Sequence, residues 1–413
     1  MKNINSNTPW ETDKWFTSSW NFSEEVRKNI KFSENIQFHD VSLRDGEQQS
    51  GLIFNKDQKV ALAEKLAELG IHRIEAGMPA VSDQDEAAIK EIVKLNLGPK
   101  IFSFARCLKE DVKRSVDCGV KNVVLEVPIS DHILKYAYKW DFQKAVDLSI
   151  ESTLFAHEQG LYVSFFTIDG SRTDIDTYFD LIQKIATEGH MDELTVVDTF
   201  GGLNPHAVPY LIKKVKERIN DKPIGVHFHD DFGLGAANTI MALASGAEIA
   251  HTTISGIGER AGNAPYEDVA LSLLTMYGID TGLKYEKMYP LSKYLQKISG
   301  LKVRQNRGIV GDDIANIESG IVAAWFKNAA DIAPLELAPY LYSLTGHPEA
   351  KVTIGKMSGI PTVDIYCDQL GLRANEEQKA EIVIAIKKKA FEKSSLLTLK
   401  EFEDIARNII DKS

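Results

Sequence analysis

Cysteine is scarce in this chain: three residues in 413, Cys107, Cys118 and Cys367, odd in number and far apart. That excludes a disulfide framework and a cysteine-built zinc site, and it fits a reducing compartment. Long apolar runs are missing too. No stretch of about 18 apolar residues occurs, so no membrane-spanning helix is expected. The opening MKNINSNTPWETDKW lacks the basic-then-apolar order of a secretory signal, and a cytoplasmic location is expected. Basic residues are outnumbered, 48 Lys and Arg against 59 Asp and Glu, for a net charge of −11. That balance argues against nucleic acid as a partner, because phosphate contacts need a basic surface. A small anionic substrate stays compatible, since a pocket can be basic within an acidic protein. Repeats and low-complexity linkers are also missing.

What is present is an alternation. Short β-branched or apolar runs recur eight times: IQFHDVSL (36–43), HRIEA (72–76), IFSFA (101–105), NVVLEV (122–127), YVSFFT (162–167), LTVVD (194–198), IGVHFH (224–229) and IAHTTI (249–254). Amphipathic segments separate them; within 57–69, Val60, Leu62, Leu66 and Leu69 recur at near-helical spacing. Eight strand–helix units in about 250 residues predict an α/β fold, a (β/α)8 TIM barrel over 34–284, with a doubly wound open sheet as the alternative. Residues 1–33 carry Trp10, Trp15 and Trp20 in polar surroundings. They are expected to form an N-terminal arm packed on the barrel or on a second subunit, since a free tail would leave that apolar area in water. Residues 285–413 read as an appended C-terminal helical subdomain with helices at 286–299, 312–326, 374–392 and 397–411. Thr398 and Glu401 give the last one a capping-box start.

Ionisable residues gather where the eight runs end. Arg44, Asp45 and Glu47 follow the first, Glu75 ends the second and Arg106 follows the third. Asp169 lies beyond the fifth, Asp198 ends the sixth, and His227 and His229 end the seventh. TIM barrels build their sites at the C-terminal ends of strands, so this is the candidate functional set. On a strand, residues i and i+2 share a face, so both imidazoles of His227-Phe228-His229 can aim into one cavity. Two imidazoles and a carboxylate grip a divalent cation at three points and leave positions open for substrate and water. Asp45 is the natural carboxylate if the first and seventh strands bring their ends across the barrel mouth; the alternative is a pair of surface-loop histidines. Mixed nitrogen and oxygen donors leave zinc, manganese and magnesium all open. In GIGERAGN (256–263) three glycines permit close backbone approach, and Asn263 adds an oxygen donor, which suggests a loop over the site. Glu75 is expected to accept from a metal ligand or from Arg44, and Asp198 to fix the tautomer of a ligating imidazole. Asp169 reads either as a site residue or as a cap. Glu126, His39 and Asp40 are expected to be satisfied buried polar groups.

The segments FHDVSLRDGEQ, IEAGMP, HFHDDFGLGAANT and GIGERAGNAPYEDV, in this order, resemble the successive motifs of the DRE-TIM metallolyase superfamily. That group includes 2-isopropylmalate, homocitrate and citramalate synthases and 3-hydroxy-3-methylglutaryl-CoA lyase. The resemblance extends weakly through IVGDDIANIESGI and IGKMSG. It implies Asp45, His227 and His229 as metal ligands, Asn263 as a fourth or water-linked one, and Arg44 as the catalytic arginine facing a developing oxyanion; Glu75 is expected to be catalytic with it. Arg106, Asp169, Thr199 and Glu259 are expected to bind substrate, and the resemblance implies a homodimer with the helical part of one subunit near the other's barrel. The implied reaction is condensation of an acyl-CoA with a 2-oxo acid. GERAGN resembles the synthases, since the lyase carries a cysteine in this loop where Glu259 stands.

Three features depart from the synthases. Their histidine-rich stretch ending in SGIH is matched by Ile317-Glu318-Ser319-Gly320-Ile321-Val322, and neither Ile nor Val can move a proton. Ile168 stands beside Asp169 where relatives often carry a glutamate. The regulatory domain of leucine-pathway synthases has no counterpart up to Ser413, so feedback by leucine is not expected. A different base, Glu259 or Tyr340, or a different reaction is therefore required. The alternatives to the acyltransferase are a divalent-metal-dependent lyase or aldolase cleaving a 3-hydroxy acid to a 2-oxo acid, and a non-catalytic oxo-acid binder.

Overall fold

The eight apolar runs become eight strands, and the strands close into a ring. The computed structural model describes residues 2–3, 7–219 and 222–412. In it β1 (Gln37–Asp40), β2 (Arg73–Glu75), β3 (Lys100–Arg106), β4 (Asn122–Pro128), β5 (Tyr162–Ile168), β6 (Glu193–Asp198), β7 (Ile224–Phe228) and β8 (Ile249–Thr252) pair in chain order. All pairings are parallel, and β8 returns to β1 with Asp40 opposite Thr252. An open doubly wound sheet is thereby ruled out. Strands covered by helices outside and side chains inside have no wet face, and all six residues of β6 are buried. Phe102, Phe104, Val124, Phe166 and Val197 fill the interior.

The intervening segments form α1 (Lys56–Leu69), α2 (Asp83–Leu95), α3 (Lys109–Asp117), α4 (Phe142–Glu158), α5 (Ile175–Thr187), α6 (Ala207–Lys216), α7 (Gly235–Leu243) and α8 (Tyr266–Tyr277). Local chemistry sets their ends. At α1, Asn55 and Gln58 exchange side-chain and backbone hydrogen bonds in a capping box, and Gly70 ends the helix in the left-handed conformation. Among the described residues no helix is long and apolar enough to cross a membrane.

The chain divides into two units, Met1–Pro9 with Ser19–Val303 and Trp10–Ser18 with Arg304–Ser413. This corrects the expected boundary at 284/285. Helix α9 (Met288–Ser299) belongs with the barrel, where Gln58 of α1 donates to the Ile298 carbonyl at 3.0 Å. The expected arm over 1–33 is not one piece either: Trp15 is buried in the second unit, and Phe16 N donates to Pro339 O at 2.9 Å. Residues 1 and 4–6 of that arm, 220–221 of the barrel span and 413 of the helical span lie outside the described residues.

The second unit contains α10 (Gly320–Ala329), α11 (Ile360–Leu370), α12 (Glu376–Lys393) and α13 (Leu399–Ile410) around Val363, Ile382, Ile386 and Phe402. Thr398 and Glu401 form the expected capping box. The helix read at 312–326 begins only at Gly320, because Asn316–Ile317 pairs instead with Lys351–Val352. Helix α11 was not expected. Pro361 sits in its first turn, where the missing N–H removes no intrahelical bond.

Candidate active site

Ring closure brings the end of β7 beside the turn that follows β1. Arg44 N and Gly46 N both donate to Val41 O, at 3.1 and 3.0 Å, which folds the turn back and aims Asp45 into the mouth. Asp45 Oδ2 then lies 3.4 Å from His227 Nε2 and 3.8 Å from His229 Nε2, and the two Nε2 atoms are 3.3 Å apart. All three side chains are buried. Donors at these separations can all sit about 2.0–2.2 Å from a single divalent ion, so the donor set fits a metal. His229 Nδ1 lies 3.1 Å from Gly262 O. Donating there puts the proton on Nδ1 and leaves Nε2 free to ligate. The partner expected for this role, Asp198, is used elsewhere: its carboxylate accepts from Ser171 Oγ, Gly202 N and Leu203 N.

Arg44 lies next to the donor set. Its guanidinium stacks on Phe104 at 4.0 Å, Nε donates to Glu75, and Nη1 donates to Asp45 Oδ2 at 2.9 Å. Nη2 is buried with no partner. Glu75 completes the support through its other oxygen, 3.2 Å from His39 Nε2, and the His39 ring stacks on His251 at 4.2 Å. His39, Glu75 and His251 form a second buried group of potential ligands. In that group the single carboxylate already neutralises Arg44, so a cation there would lack a counter-charge.

Electrostatics follow from this crowding. Burial pushes the Asp45 carboxyl up, but Arg44 and the two imidazoles more than reverse it and hold it well below the usual range. Burial, with the His227 charge adding to it, drives His229 down to about 4. The imidazole is therefore neutral at pH 7, the state a ligand needs. Glu75 is held low because Arg44 and His39 outweigh its burial.

The loop 256–263 closes the site from the β8 side. Asn263 Nδ2 donates to Asp45 Oδ1 at 2.8 Å, while Asn263 Oδ1 is buried without a partner. Gly258 permits this approach. Its φ is +150°, and an added Cβ would lie 2.3 Å from Asn263 Nδ2 and 3.0 Å from Asp45 Oδ1. Gly258→Ala is therefore expected to weaken divalent-metal binding about 10–100-fold, the range for losing the support of a ligand. Calorimetric metal titration checks this, and wild-type affinity in the variant would refute it.

The other sequence-derived residues are placed less directly. Glu259 reaches the site through its backbone N–H, 3.4 Å from Asp45 Oδ1, while its side chain is exposed. Asp169 is buried, but its carboxylate accepts from Ser130 and Arg172 and lies 2.9 Å from His132 Nε2. Thr199 Oγ1 accepts from Asp169 N at 2.8 Å. Arg106 pairs with Asp111 through Nε and Nη2 at 2.6 and 3.0 Å. Tyr340 lies in the second unit. Sequence reasoning missed the aromatic floor of Phe104 and Phe166. The signal was available, since Phe104 precedes Arg106 by two residues and so shares its face. It also missed a cavity of about 530 Å³ beside Arg44, with Leu52, Phe54, Met78 and Val81 in its wall.

Comparison with known proteins agrees with this geometry. Residues 35–295 match the HMGL-like family. The chain is 33% identical over 375 residues to homocitrate synthase AksA of Methanothermobacter thermautotrophicus, covering 91% of this chain and 93% of that one. It is 35% identical over 389 residues to 2-isopropylmalate synthase of Methanocaldococcus jannaschii, covering 93% and 74%. An HMG-CoA lyase from Acinetobacter baumannii, solved in complex with coenzyme A and 3-methylmalate, shares the barrel fold. Its TM-score is 0.59 over 66% of this chain and 94% of that chain, at 21% identity. With a family match across the barrel and relatives spanning nearly the whole chain, this protein belongs to the HMGL-like family of the DRE-TIM metallolyase superfamily.

Proposed function

We propose that this protein condenses an acyl-CoA with a 2-oxo acid, as an acyltransferase of the 2-isopropylmalate and homocitrate synthase kind. The observation that carries the reading is the convergence of Asp45, His227 and His229 beside an Arg44 whose Nη2 is buried and unpartnered. Asp45, His227 and His229 would hold a zinc, manganese or magnesium ion, which would supply Lewis-acid polarisation of the oxo-acid carbonyl. Asn263 Oδ1, buried without a partner, would add a further oxygen ligand, directly or through water.

The protein's own groups do the rest. Arg44 Nη2 donates to the oxygen that gains charge as the new carbon–carbon bond forms. Glu75 and Phe104 hold that guanidinium in place. The Thr199 hydroxyl, already accepting from Asp169 N, has its O–H left to donate to the oxo-acid carboxylate. Arg106 and Asp169 shape the loops around the substrate, and Glu259 supports Asp45 through its N–H. The apolar-walled cavity beside Arg44 suits the pantetheine arm of the acyl-CoA. We place the protein in the cytoplasm, in amino-acid biosynthesis, as a homodimer; exposed Ile321 and Trp325, one turn apart on α10, support an association surface.

A thiol-release assay with acyl-CoAs against a panel of 2-oxo acids, with the metal added, tests this. Release of CoA with an alkylmalate-type product is the expected result. The missing imidazoles at 317–322 favour a second reading, a metal-dependent lyase or aldolase. Cleavage of 3-hydroxy acids to 2-oxo acids, with no thiol released from any acyl-CoA, would put it first.

A further inference from the structure

Strand β4 ends with a carboxyl that has no role in the steps above. Val124 lies in the interior cluster with Phe102, Phe104 and Phe166, and Glu126, two residues on, shares its inward face one step nearer the mouth. Glu126 sits opposite Arg106 on β3 and Phe166 on β5. The Phe166 ring is 5.0 Å from the His227 ring and 5.8 Å from the Arg44 guanidinium, so Glu126 stands over the same aromatic floor as the metal ligands and the arginine. It opens onto a cavity of about 110 Å³ lined also by Arg106, Tyr138 and Trp140.

Its surroundings leave it unpaired. Arg106 is committed to Asp111, and Arg44 uses Nε and Nη1 on Glu75 and Asp45. Glu126 itself makes no ion pair or side-chain hydrogen bond among the described residues. The charged and titratable groups around it are Arg44, Glu75, Arg106, Asp111, Cys107 and Tyr138. Burial pushes its carboxyl up to about 7, with Arg44 and Arg106 pulling the other way. A carboxyl of that strength, open to a cavity, exchanges protons readily near neutral pH.

The condensation needs such a group. Residue 168 is an isoleucine, and 317–322 offers no imidazole. We propose that Glu126 is the general base of this active site, taking the proton from the carbon that becomes the nucleophile. The inference rests on the acyl-CoA reading. A C–H bond next to the thioester carbonyl breaks, its proton passes to a Glu126 oxygen, and the electron pair moves onto the thioester oxygen as an enolate. The enolate carbon bonds to the oxo-acid carbonyl carbon, whose π pair becomes an alkoxide and takes the proton back from Glu126. Water then adds to the thioester and CoA leaves as the thiol, so no oxidant or reductant is needed.

The test compares metal-loaded wild type, Glu126→Gln and Glu126→Asp, full length, after matched melting curves show that each folds. Glu126→Gln is expected to lower kcat about 10²–10⁴-fold and to abolish the rise of rate with pH around neutrality, whereas Glu126→Asp keeps a shifted rise. Oxo-acid binding by calorimetry is expected to change little. Turnover by Glu126→Gln at the wild-type rate with the wild-type pH profile would overturn the proposal. If wild type releases no thiol from any acyl-CoA, the acyltransferase reading fails separately, and deuterium uptake from D2O at C3 of the oxo acid decides about Glu126. Exchange in wild type that is lost in Glu126→Gln supports its role as the base. Equal exchange in both, or none in either, overturns it.

Discussion

His227→Ala is expected to purify without its divalent ion and to show no turnover above background. In the proposed site Asp45, His227 and His229 would hold the cation, and the substitution replaces one imidazole with a methyl group while the other two remain. Losing only the group that supports a metal ligand typically costs 10–100-fold in affinity, so losing the ligand itself should cost at least about 100-fold. Elemental analysis after dialysis gives the first readout. A thermal shift gives the second: metal at about 100 times its dissociation constant stabilises wild type by roughly 2.7 kcal/mol, and the variant should show no shift at that concentration. Equal metal content and an equal shift in His227→Ala would remove the metal centre from this site, and the proposed chemistry with it.

Arg44→Lys is expected to lose about 10²–10³-fold in kcat, the scale for one missing oxyanion donor, while its metal content stays at the wild-type level. Lysine is the informative choice. Arg44→Ala would strand the fully buried Glu75 carboxylate, and breaking a buried pair that way costs about 3–5 kcal/mol, which confounds catalysis with stability. Lysine keeps a positive charge near Glu75 and Asp45 but has no planar fork. It cannot reproduce three donors aimed at Glu75, Asp45 and the substrate at once. Steady-state kinetics and metal analysis on one preparation separate the roles. Turnover within about threefold of wild type would show that Nη2 does not meet the developing charge.

Both results bear on features that were legible to different degrees. The barrel could be read because hydrophobic periodicity is local. Each of the eight runs alternates with an amphipathic segment, and each became a strand within a few residues of its expected limits. His227 and His229 shared a face in the sequence for the same reason. The caps at Asn55 and Thr398 are likewise short-range chemistry. Contacts were harder to read where several partners compete for one group. Asp198 was expected on an imidazole, but Ser171 Oγ from the loop after β5 and the Gly202 and Leu203 N–H groups reach it first, and Gly262 O takes the imidazole instead. Arg106 and Asp169 stand at the correct strand ends, yet Asp111 holds the first and Ser130 and Arg172 hold the second. Glu126 and His39 were expected to be satisfied. Glu126 is unpaired, and His39 keeps an unpartnered Nδ1 while it supports Glu75.

The sequence by itself determined the elements, their order and the inward face of each strand, because spacings of two and of three to four residues act between neighbours in the chain. Only the tertiary structure decided that Asp45 meets Asn263 from 218 residues away, that Arg44 keeps one donor free, and that the barrel unit extends to Val303. Those outcomes depend on where β8 meets β1 and on which of several nearby groups reaches a charge first. Both are settled by distances through space that no local pattern encodes.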